Sequence, residues 1–135
     1  MPLCIEIHKA EGFLTCRYIG DVTDGELYDS WKAAYESPDW VPGMPELADL
    51  SELGHASVTL AGLQRLAEFC RATYERHGVS KVKVIVYAPQ PAGYGIVRMY
   101  QAFSELSPEE VIVTKDLDQA KALAQQGTWP VVPSR

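Results

Sequence analysis

Residues 81–89 of this chain, Lys-Val-Lys-Val-Ile-Val-Tyr-Ala-Pro, restrict the fold more than any other stretch. Lysine and valine alternate at first, as on a strand with one wet face. The run then becomes continuously apolar, as on a strand covered on both faces. Such a strand needs structure above and below it, and the segments on either side carry helical periodicity. The chain therefore reads as a layered α/β protein. The strand ends at Pro89 and empties into Gln90-Pro91-Ala92-Gly93-Tyr94-Gly95. Open α/β sheets usually hold ligands beyond the carboxyl ends of their strands, so this loop is the first place to look for a site.

The flanking elements follow from local patterns. Leu3, Ile5 and Ile7 alternate with Cys4, Glu6 and His8; residues 13–19 put Phe13, Thr15, Arg17 and Ile19 on one face and Leu14, Cys16 and Tyr18 on the other. Glu11-Gly12 suits the tight turn that would join them as an antiparallel hairpin. Thr23 and Glu26 have capping-box spacing, ahead of a helix with Leu27, Trp31 and Ala34 on one face, widened by Tyr28 and Tyr35. Ser37-Pro38 ends it, because the residue before proline avoids the α region. A short third strand is expected over residues 47–51 and a loop over 52–58. A helix then starts near Ser57 or Thr59, with Leu60, Leu63, Ala67, Cys70 and Tyr74 on its apolar face and Gly78 as its stop.

After the 81–89 strand come a helix over 94–106 and a fifth strand over 110–114. A last helix, capped by Asp116 or Asp118, runs through Gln126 to Gly127, ahead of a tail that includes 129–133. The order β-β-α-β-α-β-α-β-α predicts one domain over 1–135. It is a mostly parallel five-stranded sheet with an N-terminal antiparallel hairpin and about four helices. Strand order is not readable from this pattern.

Composition excludes some functions. A net charge of -6 with twelve scattered basic residues argues against nucleic acid or an anionic membrane as partner. No apolar run approaches the roughly 18 residues of a membrane span, and the start lacks a signal-peptide pattern, so a cytoplasmic location is expected. Cys4, Cys16 and Cys70 form no CxxC pair and read as reduced thiols. His8, His55 and His77 lack the spacing of a metal site. No GxSxG elbow and no cysteine with a recognisable base is present. The expectation is a protein without catalytic residues, metal or cofactor.

Three clusters are candidates for binding. Gly93-Tyr94-Gly95 with Arg98 could offer N–H groups and a guanidinium to a small anion; the alternative is a tight helix start that needs glycine. Ser57 and Thr59 place hydroxyls at a helix N-terminus, either as a phosphorylation site or as a cap. Asp49 lies at the same edge and suits a turn cap. Asp116-Leu117-Asp118 resembles a phosphatase motif but has too little chain after it, so capping explains it. Asp21, Asp24, Asp49 and Lys115 could together form the acidic edge of a minimal hydrolase.

The hairpin with Gly12, Asp49-Leu50-Ser51 closing the third strand, Tyr87-Ala88-Pro89, and Tyr94-Gly95-Ile96-Val97-Arg98-Met99 opening a helix resemble the SpoIIAA-like, or STAS-like, family. The layout matches over nearly the whole chain. That resemblance implies a non-catalytic regulatory or binding module, acting on a protein partner or a small anionic or apolar ligand. In the family's anti-sigma-factor antagonists, Asp-x-Ser is followed by Asp-Ser-Ser-Gly, which carries the phosphorylated serine. Here Asp49-Leu50-Ser51 keeps the first part. The second reads Ser57-Val58-Thr59-Leu60, with only Thr59 keeping a hydroxyl, so the resemblance implies no phosphorylation switch. The alternative is a small-ligand or lipid carrier resembling the CRAL-TRIO fold, for which an apolar cavity under the 93–98 helix would be the mark. A homodimer is also expected, through an apolar arc of Ile96, Val97, Met99, Tyr100, Phe103 and Leu106, with the 129–133 tail as the competing cover.

Overall fold

The computed structural model describes residues 3–124. β1 (Leu3–His8) and β2 (Phe13–Thr23) form the hairpin, closed where Gly12 takes φ 86° and donates its N–H to the His8 carbonyl at 2.8 Å. α1 (Asp24–Glu36) begins with the expected capping box: Thr23 Oγ1 accepts from Glu26 N–H at 3.3 Å, and the Glu26 carboxylate accepts from Thr23 N–H at 2.9 Å. There follow β3 (Glu46–Ser57), α2 (Leu60–Arg76), β4 (Val82–Tyr87), α3 (Pro91–Phe103), β5 (Glu109–Thr114) and α4 (Leu117–Ala124).

The five strands lie in the order β1-β2-β3-β4-β5, with β1 antiparallel and the rest parallel. Each new parallel strand is added on the same side of the last. Right-handed crossovers repeated in one direction place every crossover helix on the same face. α1, α2 and α3 accordingly pack side by side over one face, while α4, which follows the last strand, covers β4 and β5 from the other. Because the strand order never reverses, the sheet has no topological switch point, and the crevice that such a point creates is missing from the carboxyl edge.

The main core lies between the sheet and the three helices. Leu14, Cys16, Ala48, Leu50, Val84 and Val86 face it from the strands, and Leu27, Trp31, Leu63, Leu66 and Tyr74 from the helices. Phe13, Leu47 and Ile85 meet Ala120 on the other face. β4 is thus covered on both sides, as its continuous apolar run requires.

Several boundaries differ from expectation. β3 does not end at Ser51 but runs through the expected loop, pairing with β2 as far as Thr23↔Ser57. Register shifts between Arg17 and Ile19 and between Gly20 and Val22 break the two-residue alternation, which hid this half of the strand. α3 starts at Pro91, whose fixed φ and missing N–H suit the first helical position, and it stops at Phe103. Leu60 is exposed rather than on the apolar face of α2. Val97 points into the core at 7% exposure, whereas Met99, Phe103 and Leu106 face outward. The apolar arc of α3 is therefore split between core and surface, and Val97 belongs to the core. The tail at 129–133 and the end of the last helix at Gln126 and Gly127 lie outside the described residues. Among those described, no helix is long and apolar enough to cross a membrane.

Candidate functional site: an apolar cavity with a carboxyl end

Side chains two apart on a strand share a face. The positions that bring Ala48 and Leu50 inward on β3 also bring Glu46 inward, and those that bring Val111 inward on β5 also turn Glu109 inward. The two acids flank β4: Glu46 pairs with Val84 and Glu109 with Val82. Both carboxyl groups lie under the helices, with Glu46 only 3% exposed.

Tyrosines from all three helices meet them. Tyr35 of α1 donates to Glu46 Oε2 at 2.8 Å and Tyr74 of α2 approaches the same oxygen at 2.9 Å. The Tyr35 and Tyr74 hydroxyls are themselves 2.8 Å apart. Tyr74 also reaches Glu109 Oε2 at 3.2 Å, and Tyr100 of α3 donates to Glu109 Oε1 at 2.7 Å. The Cys70 thiol points at Tyr35 Oη from 3.9 Å. These five oxygen–oxygen contacts need five protons, and three phenols supply only three. Two further protons, one on each carboxyl, complete the network: buried polar groups rarely remain unpaired.

The electrostatics agree with the proton count. Burial, then the charge of Glu109, pushes Glu46 up to about 8 despite the hydrogen bonds from Tyr35 and Tyr74. Burial likewise pushes Glu109 up to about 7 against its bonds from Tyr100, Tyr74 and Ser107. Glu46 is chiefly a carboxylic acid at neutral pH, and Glu109 is shared between acid and carboxylate. The buried phenols of Tyr35, Tyr74 and Tyr100 are raised as well, again chiefly by burial.

Between this cluster and the far half of β3 lies a cavity of about 90 Å³. Its walls are almost wholly apolar: Leu50, Leu53 and Val86 from the sheet, Leu63 and Leu66 from α2, Ile96 and Val97 from α3. Glu46, Glu109, Tyr35, Tyr100 and Cys70 form its polar end. A water needs about 10–15 Å³ measured this way, so the space suits several waters or a short unbranched chain.

The residues singled out from sequence do not gather here. Gly93 is buried in the first turn of α3, where a Cβ would sit 3.4 Å from the Cδ2 atoms of both Leu50 and Leu53; close helix–sheet approach accounts for that glycine. Gly95 is exposed, with nothing near its Cβ position. Arg98 donates to Tyr94 Oη at 3.4 Å, and Lys115 Nζ lies 4.5 Å from the Tyr94 ring centroid, so two cations flank Tyr94 on the surface.

Asp49 is buried within β3 and accepts from Ser51 N–H at 2.8 Å, so it bonds the backbone inside a strand and not at a turn. Ser57 is the exposed last residue of β3. Thr59 caps α2: its hydroxyl accepts from Gly62 N–H at 3.0 Å and donates to Asp24 Oδ2 at 2.6 Å. A Cβ at residue 62 would collide with that Asp24 carboxylate. The carboxylates of Asp21, Asp24 and Asp49 each accept a backbone N–H, from His55, Thr59 and Ser51 respectively. Among the described residues no three His, Cys, Asp or Glu side chains are grouped to hold a metal ion.

A phosphate on Thr59 would replace the proton that bonds Asp24 and set two negative groups against each other. Intact-mass analysis of protein from its native source should therefore find Ser57 and Thr59 unmodified. Urea denaturation should show Thr59→Ala less stable by about 0.5–2 kcal/mol and Thr59→Ser nearly unchanged.

Glu46 and Glu109 were missed in the sequence because each stands at the start of its strand, where a charged residue normally marks solvent. Their even spacing from Ala48 and Val111 was the available signal. The sequence matches no family model, no curated protein and no solved structure.

Proposed function

We propose that this protein is a non-catalytic binding module, of the kind its likeness to STAS-like domains suggests, and that its ligand is a small, mostly apolar molecule held between the sheet and α1–α3. The observation that carries this reading is the apolar cavity under α3. Well-packed interiors leave few voids larger than a water, and each void costs stability. Apolar walls with a few converging polar groups are the usual make-up of a ligand pocket. A cavity under this helix is the mark expected of the carrier alternative, and the module reading is kept only as one that binds a small ligand there; the size of about 90 Å³ favours a short molecule over a membrane lipid.

The test is methyl NMR with 1-hexanol as the probe. Resonances of Leu63, Val84 and Val86 should shift in a saturable way, and Ala48→Met, which fills the space from the sheet, should abolish the shifts without lowering the melting temperature. Shifts that do not saturate, or that survive Ala48→Met, would overturn the reading.

We also propose that the module pairs through the outer face of α3. Met99 and Phe103 lie one turn apart, at 40% and 39% exposure, and Leu106 beyond the helix end is 86% exposed. A twofold contact would bury this line against itself and close without forming fibres. Light scattering at micromolar concentration should give twice the chain mass, and Phe103→Glu should halve it with circular dichroism unchanged. A monomeric wild type would refute the pairing.

A further inference from the structure

We propose that the cavity's ligand ends in a primary amine, seated against Glu46 and Glu109 with its apolar body toward Leu53 and Leu63; this rests on the cavity reading above. Among the described residues, no lysine, arginine or histidine lines the cavity. A carboxylate or phosphate head would therefore enter without a counter-charge and against two acids. The polar end can hold only a head that donates.

Glu46 shows where that donor goes. Both bonds to its carboxyl arrive at Oε2, and among the described residues no hydrogen bond reaches Oε1. The side chain is 97% buried, from 3% exposure, yet lines the cavity. An acceptor oxygen that no protein group bonds, on a residue lining a cavity, is the place for a donor from within that cavity. A hydroxyl brings one proton to this place. An ammonium brings three, enough for Oε1 of Glu46 and for the second lone pairs of Glu109.

The charge balance closes without any other reactant. Near pH 7 an alkylamine arrives as R–NH3+, and the carboxyl pair of the free protein, with Glu46 at about 8 and Glu109 at about 7, holds between one and two protons. Burying the cation is unfavourable unless an anion faces it. One carboxyl therefore releases its proton to solvent, and the product is an ammonium–carboxylate pair with the second acid still hydrogen-bonded. No covalent bond is made or broken. The groups facing the pair are Tyr35 from α1, Cys70 and Tyr74 from α2, Tyr100 from α3 and Cys16 from β2. Burial holds every one of these in its neutral form, so the released proton comes from Glu46 or Glu109.

Isothermal titration calorimetry at pH 7 with n-hexylamine, 1-hexanol and hexanoate tests this, run in two buffers of different ionisation enthalpy. Hexylamine should bind about tenfold or more tighter than hexanol, the increment of one charge-assisted hydrogen bond or more. It should release up to one proton; hexanol should release none, and hexanoate should not bind. Glu46→Gln and Glu109→Gln should each reduce the preference for the amine while leaving hexanol binding in place. Equal affinity for amine and alcohol, amine binding without proton release, or a preference that survives both substitutions would overturn the amine head but leave the cavity reading standing. Failure of both hexylamine and hexanol to bind would overturn the two together. The proton count is read on the wild-type protein, so the test does not depend on the variants folding.

Discussion

Raising the pH from 5 to 9 should lower the melting temperature by roughly 10–20 °C, most of it through Glu46 and Glu109. The sign follows from proton binding. In the unfolded chain both glutamates ionise near pH 4.3, whereas in the fold Glu46 holds its proton to about 8 and Glu109 to about 7. Between these values the folded state binds more protons than the unfolded one, so stability falls as pH rises. The contribution is complete below about pH 4 and is lost as pH passes through 7 and 8. Each unit of difference corresponds to about 1.4 kcal/mol, so the full effect is several kcal/mol. Thermal unfolding followed by circular dichroism at pH 5, 7 and 9 measures it. The Glu46→Gln, Glu109→Gln double variant keeps the neutral shape and should flatten most of the slope. An equal slope in the variant would mean that other groups carry it.

At protein concentrations too low for pairing through α3, Val97→Glu should destabilise the fold by about 3 kcal/mol or more, while Met99→Glu should fall within about 0.5 kcal/mol of wild type. The two residues are neighbours on α3, and in the sequence both belong to one broad apolar arc. In the fold Val97 is 7% exposed and lines the cavity, whereas Met99 is 40% exposed. A carboxylate at 97 would lose its water with no cation near it; at 99 it would keep it. Urea denaturation of the two variants gives the comparison, and a stable Val97→Glu protein would show that α3 is rotated from the orientation described.

Several local features were legible without tertiary information because each involves residues within one turn or one pleat. The Thr23–Glu26 capping box is such a case, as are the turn at Gly12 and the stop at Gly78, which takes φ 71°. β4 was legible because a run covered on both faces leaves no polar alternation. The outer half of β3 was not, since its register shifts cancel the pattern that announces a strand. Thr59 could be named as a cap, but the Asp24 carboxylate that fixes it comes from 35 residues away.

The sequence by itself determined the α/β class, the element order and the four helices, three of which are crossovers between parallel strands, because helical and strand periods are properties of neighbouring residues. The strand order, and with it the placement of three helices on one face, came only from the tertiary structure. So did the union of Glu46 with Tyr74 and Glu109, which are 28 and 63 positions further along. The physical reason is that an inward-facing glutamate is tolerable only if other elements bring it donors and shield it from water. No local pattern reports whether they will. The turn after β4 looked like the binding site because strands usually present ligands there. Sequential strand order removed the crevice from that edge, and the space opened instead beneath the helices, where two acids and three phenols share their protons.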